Sequence, residues 1–556
     1  MQSSLSFRSS GFGRGLAALA AACVMLCFSA YAQMEVRLRT QIPSGPYRIA
    51  GTVLNAKTGN PLSRCRVTIT DLKKQDVQSV ITGDDGRFEF HVPAGRYSLE
   101  GEKRGFIGAL YNQHEQLSTA IVAGADLDTE NLALRLAPNA VLTGKVLDEF
   151  GEAVRNAQIT VYREDRSQGV GRINRLRATT TDDQGRYEVT PLDAGTYFVS
   201  ARAFPWYAVH PNSNASGAAS QPSQIDSSLD VAYPVTFYGD ATEAEDAAPI
   251  PLRGGDRLEV DIHLNPVPAL HIILHVPQEG GEMNLPTLQK PVFDALEPVS
   301  IGSLRRVAPG AYELTGAAGG RYTLRMPDSS GQLKEPTDVN LNGGGELDVS
   351  TGRSTSKVKA TVQLAGWGSI PSQLAITLSD NKGRRSRTEL DAKGEANFSD
   401  VIPGKYEVFA GSPTQPFSVV RIATEAGAIS GHTFNMPPGA SLTISLSVLA
   451  GSVTVEGYAK RTGKAVAGAM IVLVPKDAEA NRDCIRRDQS DLDGGFRLRN
   501  VVPGIYTIVA IENGWDLDWA EPAALTGYFK QGQTIEVGSR SQTAMRLADA
   551  LEVQAK

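Results

Sequence analysis

Two histidines lie four residues apart in the segment HIILH, at His271 and His275, and raise the question of a metal site. A zinc peptidase motif of the form H-E-x-x-H brings two imidazoles together on one helix face, with a glutamate as general base. Here no glutamate separates the histidines, and the run alternates in the way that is typical of a strand. Residues four apart on a strand are separated by roughly 13 Å, too far to share one zinc ion. The sequence therefore predicts no metal site and no cofactor.

The sequence also lacks the local signatures of common nucleophilic and nucleotide-dependent enzymes. It contains no G-x-S-x-G nucleophile elbow, no Walker loop and no dinucleotide-binding fingerprint. Glycosidase carboxylates leave no local signature, so the sequence leaves that class open. Because the chain is divided into small repeated units, little of it remains for an active-site cleft. We therefore expect a protein that is not an enzyme.

Aspartates cluster before glycines in repeated turns, as in DDG at residues 84–86 and DLDG at residues 491–494. Oxygen-rich loops of this kind suit calcium. However, the spacing and the distal bidentate glutamate of an EF-hand loop are missing, and aspartate also favours turns by accepting hydrogen bonds from nearby backbone amides. We interpret these clusters as turn residues.

Two aromatic loops are the best candidates for ligand binding. The segment FPWY at residues 204–207 places three aromatic rings around a proline, and WDLDW at residues 515–519 places two tryptophans beside acidic residues. Exposed rings next to hydrogen-bonding side chains suit stacking on sugar rings. The candidate ligand-binding residues are Trp206, Tyr207, Trp515, Asp516, Asp518 and Trp519. Trp367 is a weaker, isolated candidate.

A fixed offset favours a different interpretation of three of these aromatic positions. Phe106, Trp206 and Trp515 each follow a repeated tyrosine by nine residues. A constant offset indicates that the ring belongs to the fold, where it would close one end of a sandwich. Both interpretations stay open from the sequence.

The elements that must position these residues come from a repeat that runs along the chain. Gly86, Phe88, Gly95 and Tyr97 mark its first copy, and similar stretches follow near residues 185–197, 310–322, 394–406 and 494–506. Each copy alternates apolar and polar residues between two turns that contain glycine, so it predicts a β-hairpin. Five copies predict five units of about a hundred residues.

Three of the units share a further pattern, G-x-V…G-x-P-V…A-x-V-x-V followed by D-x-x-G-x-F/Y…P-G-x-Y. This pattern resembles the carboxypeptidase regulatory-like domain over residues 47–106, 140–206 and 453–515. The resemblance implies a seven-stranded Greek-key sandwich of the transthyretin-like type, grouped with carbohydrate-binding-like folds. Over residues 267–449 only the second half of the pattern is preserved. The resemblance concerns the sandwich that is appended to such peptidases and not their catalytic domain.

The predicted fold is all-β, a tandem array of about five Greek-key β-sandwich modules (transthyretin-like/Ig-like) after an N-terminal signal peptide. With short linkers, the array is expected to form an elongated rod or a gently bent string. The predicted divisions are a signal peptide at 1–32, regulatory-like sandwiches at 33–138, 139–266 and 450–556, and divergent sandwiches at 267–354 and 355–449.

The N-terminus and the overall composition indicate an exported globular protein. An apolar run over residues 16–28 precedes Ala30-Tyr31-Ala32, which predicts signal-peptide cleavage before Gln33. The remaining chain has no second run long enough to span a membrane. The 556 residues carry a net charge of -6 and no basic stripe, which argues against nucleic acid binding. Cys65 and Cys484 lie in different repeats and are interpreted as two buried, unpaired thiols.

These observations favour an exported, non-catalytic binding or scaffold protein, periplasmic or extracellular and outer-membrane associated. An extracellular or envelope polysaccharide is the first candidate partner. The alternative is a protein–protein interaction stalk, or a periplasmic partner of an outer-membrane receptor or of a secreted hydrolase.

Overall fold

The computed structural model is an all-β tandem array of sandwiches. It describes residues 41–556 except 125–126, 168, 211–225, 276–286, 300, 309, 326–336, 342–344, 349–355, 365–369, 371–372, 381–384, 414–416, 425–426, 431, 438–439, 451–452, 480 and 539–543. The predicted signal peptide and Trp367 lie outside the described residues. The strands fall into five units, here named modules 1 to 5, and each has its own buried apolar core.

Module 1 consists of two sheets, with the strand orders β4-β1-β8 and β3-β2-β5-β6, and β7 also pairs with β5. Strand β8 runs parallel to β1, whereas the other pairs are antiparallel. Its strands are β1 (Tyr47–Asn55), β2 (Arg66–Asp71), β3 (Val77–Ile81), β4 (Arg87–Val92), β5 (Gly95–Glu102), β6 (Ala109–Leu110), β7 (Ile121–Ala123) and β8 (Leu132–Leu136).

Module 2 repeats this plan, with the orders β12-β9-β17 and β11-β10-β13-β15. A short pair, β14 with β19, connects it to module 3. The strands are β9 (Ala140–Leu147), β10 (Gln158–Asp165), β11 (Arg172–Thr180), β12 (Arg186–Leu192), β13 (Gly195–Arg202), β14 (Val231–Ala232), β15 (Thr236–Phe237), β16 (Ile250–Leu252), β17 (Arg257–Glu259), β18 (Ile262–His263) and β19 (Val267–Pro268).

Modules 3 and 4 each have two sheets as well. Module 3 contains β20 (Leu270–His275), β21 (Thr287–Val292), β22 (Ala295–Pro298), β23 (Ser303–Ala308), β24 (Ala311–Ala317), β25 (Gly320–Arg325), β26 (Thr337–Leu341) and β27 (Gly345–Asp348). Module 4 contains β28 (Ser356–Leu364), β29 (Ala375–Asp380), β30 (Arg385–Glu389), β31 (Glu395–Val401), β32 (Gly404–Gly411), β33 (Phe417–Thr424), β34 (Gly427–Ser430), β35 (Thr433–Met436) and β36 (Ser441–Ala450).

In module 5 the strands join into one nine-stranded sheet, because β45 pairs with both β37 and β42. A short helix, α1 (Pro522–Leu525), precedes a 3-10 turn at Thr526–Gln531, and neither was predicted from the sequence. The strands are β37 (Val453–Arg461), β38 (Lys464–Ala465), β39 (Met470–Pro475), β40 (Arg486–Gln489), β41 (Gly495–Val501), β42 (Gly504–Glu512), β43 (Gln533–Val537), β44 (Ala544–Arg546) and β45 (Leu551–Ala555).

The repeated stretch is not a hairpin, contrary to the prediction. Strand β4 pairs with β1, whereas β5, directly after the Pro93-Ala94-Gly95 turn, pairs with β2 in the opposite sheet. The corresponding strands of modules 2 to 4 are divided between sheets in the same way. The turn therefore carries the chain across the sandwich. Its two alternating strands each bury one face in the same core, which is why their pattern is that of a hairpin.

The repeated tyrosine closes this crossing turn. The hydroxyl of Tyr97 donates a hydrogen bond to the carbonyl oxygen of Pro93, 3.0 Å away and four residues earlier. Three other modules make the same bond at 2.5 to 2.9 Å. The tyrosines are Tyr97, Tyr197, Tyr322 and Tyr506, and all four rings are buried. A buried carbonyl needs a partner, so the tyrosine is part of the turn itself.

Replacing Tyr506 with phenylalanine is expected to destabilise β42 by about 1–2 kcal/mol, because the buried carbonyl of Val502 loses its 2.7 Å donor. Hydrogen exchange of the intact chain, followed by mass spectrometry, would report the local opening free energy of β42. Tyr458→Phe, at an exposed tyrosine of the same module, is the control and should leave exchange unchanged. Equal protection in both variants would contradict this role for the hydroxyl.

Module 5 folds back onto the first modules, so the prediction of an extended rod or gently bent string is wrong. Arg96 of module 1 forms ion pairs with Asp491 and Asp493 of module 5. Arg166 of module 2 pairs with Asp518 at 3.0 Å. These contacts join surfaces that are more than 350 residues apart in the chain, and no local sequence pattern could have indicated them.

Cys65 and Cys484 are both buried and form no disulfide with each other, as predicted. Cys65 lies in the core of module 1, and its thiol approaches the carbonyl oxygen of Leu62 at 3.4 Å. Cys484 lies in module 5, where its sulfur is 3.8 Å from the Nε2 atom of His432 of module 4. Burial raises the pKa of the Cys65 thiol, which makes it a poor nucleophile.

Candidate functional site

An exposed aromatic surface lies on two loops of module 2. Trp206 is 84% exposed, and Phe204 and Val209 on the same loop are 53% and 44% exposed. Phe150, in the loop between β9 and β10, is 79% exposed. Large apolar side chains are seldom so exposed in one place unless they contact something else. We refer to Phe150, Phe204, Trp206 and Tyr207 as the aromatic surface.

A hydrogen-bond network around Glu149 lies beneath this surface and connects its two loops. The hydroxyl of Tyr207 donates to one oxygen of the Glu149 carboxylate, and the hydroxyl of Tyr233 donates to the other at 2.7 Å. The Trp206 ring lies edge-on to Tyr207, with ring centroids 5.8 Å apart and an interplanar angle of 88°. Glu149 is the residue before Phe150, so this network holds both aromatic loops in fixed positions.

The groups in this network keep one protonation state around neutral pH. Partial burial raises the pKa of Glu149, but the hydrogen bonds from Tyr207, from its own backbone amide and from Tyr233 together outweigh that effect, and the net shift is downward. Burial, together with the bond to Glu149, raises the pKa of Tyr207 to about 12. Near neutral pH, Glu149 is therefore an ionised carboxylate that accepts hydrogen bonds from two neutral tyrosines. This arrangement orients the tyrosine rings, and none of the three groups has a proton that it could readily transfer.

The second predicted loop, WDLDW, occupies a contact between modules. The Trp515 ring stacks on His114 of module 1, with centroids 4.4 Å apart and an interplanar angle of 6°. Its Nε1 atom donates to the carbonyl oxygen of Gly468 at 3.3 Å. Burial lowers the pKa of His114, so the stacked imidazole is neutral at pH 7. The stacked face of the Trp515 ring and its Nε1 atom are thus both engaged within the protein.

Trp519 stacks with a buried arginine in the same contact. The guanidinium of Arg487 lies 4.5 Å from the ring centroid of Trp519 and 5.6 Å from that of Trp515. The Arg487 side chain is only 4% exposed and forms an ion pair with Glu115 of module 1. A desolvated cation over two indole rings, neutralised by a carboxylate, is a strong intramolecular interaction.

The acidic residues of the loop are paired as well. Asp516 forms an ion pair with Lys556, and the hydrogen bond from this lysine lowers the pKa of Asp516. Asp518 binds Arg166 of module 2 at 3.0 Å. Ala520, which directly follows the loop, donates its backbone amide to the carbonyl oxygen of Gly169 at 3.1 Å. The loop is therefore held between modules 1, 2 and 5.

The structure separates the six predicted residues into two sites. Trp206 and Tyr207 form part of the aromatic surface, whereas Trp515, Asp516, Asp518 and Trp519 lie at the contact of module 5 with its neighbours. Their role in ligand binding stays a prediction. Sequence reasoning missed Glu149 and Phe150, although an aromatic residue directly before the Gly151 turn is an unusual choice there.

The predicted turn and strand residues occupy ordinary structural positions. His271 and His275 lie on β20, as predicted, and the Nε2 atom of His271 is 2.6 Å from the carboxylate of Asp230. Asp182 accepts hydrogen bonds from the backbone amides of Gln184 and Arg186.

In the part of the chain that the structure describes, no three His, Cys, Asp or Glu residues are grouped so that they could hold a metal. Among the same residues, no helix has the length and apolar character needed to cross a membrane.

Solved structures with a detectable likeness to this chain include proteins of Bacillus anthracis and Streptococcus agalactiae. The TIE protein of Bacillus anthracis is 12% identical, with a TM-score of 0.17, over 72% of this chain and 68% of that protein. The minor pilin of Streptococcus agalactiae is 13% identical, with a TM-score of 0.21, over 43% of this chain and 100% of the pilin. At these TM-scores the likeness supports no argument about function. No curated protein matches the chain.

The first two modules match a known domain family. Residues 48–128 and residues 141–230 each match the carboxypeptidase regulatory-like domain. Apart from the first residue of β1 and of β9, these ranges contain strands β1 to β7 and β9 to β13, including both crossing turns and their tyrosines. Membership of module 5 in this family, expected from its sequence pattern, stays a prediction. The chain therefore contains two stretches, one in module 1 and one in module 2, that are similar to the carboxypeptidase regulatory-like domain.

Proposed function

We propose that this protein is an exported, non-catalytic scaffold that binds an extracellular or envelope glycan through the aromatic surface of module 2. The exposed ring of Trp206 beside Tyr207 is the observation that carries the proposal. A flat indole that is fixed in orientation and open to solvent can stack on the apolar face of a sugar ring. Phe150 and Phe204 extend the apolar area around it.

The network beneath the surface supports this function because it prepares the site before the ligand arrives. The carboxylate of Glu149 holds Tyr207 and Tyr233, so the loops need not be ordered on binding. Binding to a fixed surface loses less conformational entropy than binding that must first order a loop. The tandem array then serves to hold this surface at a set place relative to the other modules.

Replacing Trp206 with alanine is expected to weaken glycan retention about tenfold. Loss of one stacking ring costs about 1.5 kcal/mol, which corresponds to that factor. The measurement is retention of residues 33–556 on a panel of immobilised polysaccharides, including peptidoglycan, with competition by the soluble glycan. The ring is exposed, so the circular dichroism spectrum and the melting temperature should not change.

Tyr458→Ala is the matched control, because it removes an exposed aromatic ring from module 5. It should bind as the unaltered protein does. Equal retention of the Trp206→Ala variant would show that the aromatic surface is not the glycan site. Failure to bind any glycan would favour the alternative of a protein partner, and crosslinking in the native envelope would then identify it.

A further inference from the structure

A groove with a volume of about 1140 Å³ lies between modules 1 and 5, and residues of both modules line it. Module 1 contributes the β2–β3 turn and the crossing turn after β4. Module 5 contributes β40 and part of β41. This groove is distinct from the aromatic surface, because no residue of module 2 lines it. Its volume is sufficient for several sugar rings.

The lining of the groove carries more positive than negative charge. Six basic and three acidic residues line it. Three of the basic groups, Arg96, Arg487 and Arg497, are engaged in ion pairs with carboxylates of the protein. The other three, Lys73, Lys74 and Arg499, are exposed and take part in none of the ion pairs between described residues. The groove therefore has cationic groups available on both of its walls.

The carboxylates of the groove provide hydrogen-bond acceptors next to these cationic groups. Asp488 accepts the backbone amide of Arg497 and retains capacity for further donors. Burial raises its pKa to about 6, so it is mostly ionised at pH 7. Gln489 and Ser118 also line the groove. A ligand that matches this lining must carry anionic groups for the lysines and hydroxyl donors for the carboxylates.

We infer that this groove is a second binding site, and that its ligand is an acidic oligosaccharide of the uronic acid class. The sugar carboxylates would pair with Lys73, Lys74 and Arg499, and the sugar hydroxyls would donate to Asp71 and Asp488. An acidic peptide would satisfy the cations but bring no hydroxyl donors to the aspartates. The inference rests on the proposed glycan-binding function and assigns it a second, charge-selective site.

The test is calorimetric titration of the whole chain with oligogalacturonate and with a neutral dextran oligosaccharide of equal length. Lys73→Glu combined with Lys74→Glu should weaken oligogalacturonate binding more than tenfold, and Arg499→Glu on the opposite wall should weaken it severalfold. Binding should weaken as salt is raised, because the paired charges are near the surface. The control is Lys405→Glu with Lys464→Glu, which changes the net charge equally at exposed lysines outside the groove.

Each other result overturns the inference in a recognisable way. If Trp206→Ala abolishes oligogalacturonate binding and the groove variants do not change it, the groove is not the site, while the proposed function stands. If poly-glutamate binds as tightly as oligogalacturonate, the groove selects charge and not sugar. If neither oligosaccharide binds and the polysaccharide panel also fails, both the inference and the proposed function are wrong.

Discussion

Replacing Arg96 with alanine is expected to release module 5 from module 1 and to increase the radius of gyration of the protein. The Arg96 side chain is 30% exposed, and its partners Asp491 and Asp493 are 21% and 17% exposed. Burial raises the pKa of Asp491, although the charge of Arg96 opposes that shift. Without Arg96, two neighbouring carboxylates would be left in this interface without their cation. Breaking a pair of this kind costs about 3 kcal/mol.

Small-angle X-ray scattering of the intact chain would measure this change in shape. Arg48→Ala is the matched control, since Arg48 also binds two carboxylates, Glu89 and Glu130, but at the exposed surface of module 1. Exposed ion pairs contribute little, so the control should keep the compact dimensions. Unchanged scattering in the Arg96→Ala variant would mean that the stacking around Arg487 is sufficient to hold the modules together.

Replacing Gly51 with alanine is expected to disrupt the pairing of β1 with β8 in module 1. An alanine Cβ at this position would come closer than 3.0 Å to the carbonyl oxygen of Leu132 on the parallel strand β8. Backbone atoms cannot move aside cheaply, so β8 would have to separate from β1. Overpacking of this kind costs about 1–3 kcal/mol or more. The first glycine of the G-x-V motif is therefore required by the approach of the closing strand.

Hydrogen exchange of β8 in the intact chain would measure this loss of pairing. Gly124→Ala is the control from the same module, because nothing lies within 4 Å of an added Cβ there. It should exchange as the unaltered protein does. Normal protection of β8 in the Gly51→Ala variant would refute this explanation of the motif.

The strands could be predicted from the sequence because their signals are local. Alternation of buried and exposed residues, as in Arg87–Val92, follows from the two-residue period of a strand and needs no knowledge of its partner. The pairing could not be predicted, because Phe88 and Leu99 point into one core from opposite sheets, and a hairpin would give the same pattern.

In the candidate site, too, the local sequence predicted the positions of the aromatic residues but not their contacts with distant parts of the chain. Trp206 and Trp515 occupy equivalent positions after the repeated tyrosine, yet one is 84% exposed and the other stacks on His114. The difference arises from a partner about 400 residues away. Glu149 could not be identified for the same reason, because its two tyrosine partners lie on other loops.

The fold-back contact between modules 1 and 5 has a consequence for self-association. The two surfaces belong to one chain, so their effective concentration is high and docking within a single copy is favoured. If module 5 separates from module 1 of its own chain, its surface with Arg487 and Trp519 fits module 1 of a second copy equally well. Two opened copies can then exchange module 5 reciprocally and form a domain-swapped dimer. Conditions that open one copy at high protein concentration would thus convert an internal contact into an assembly interface.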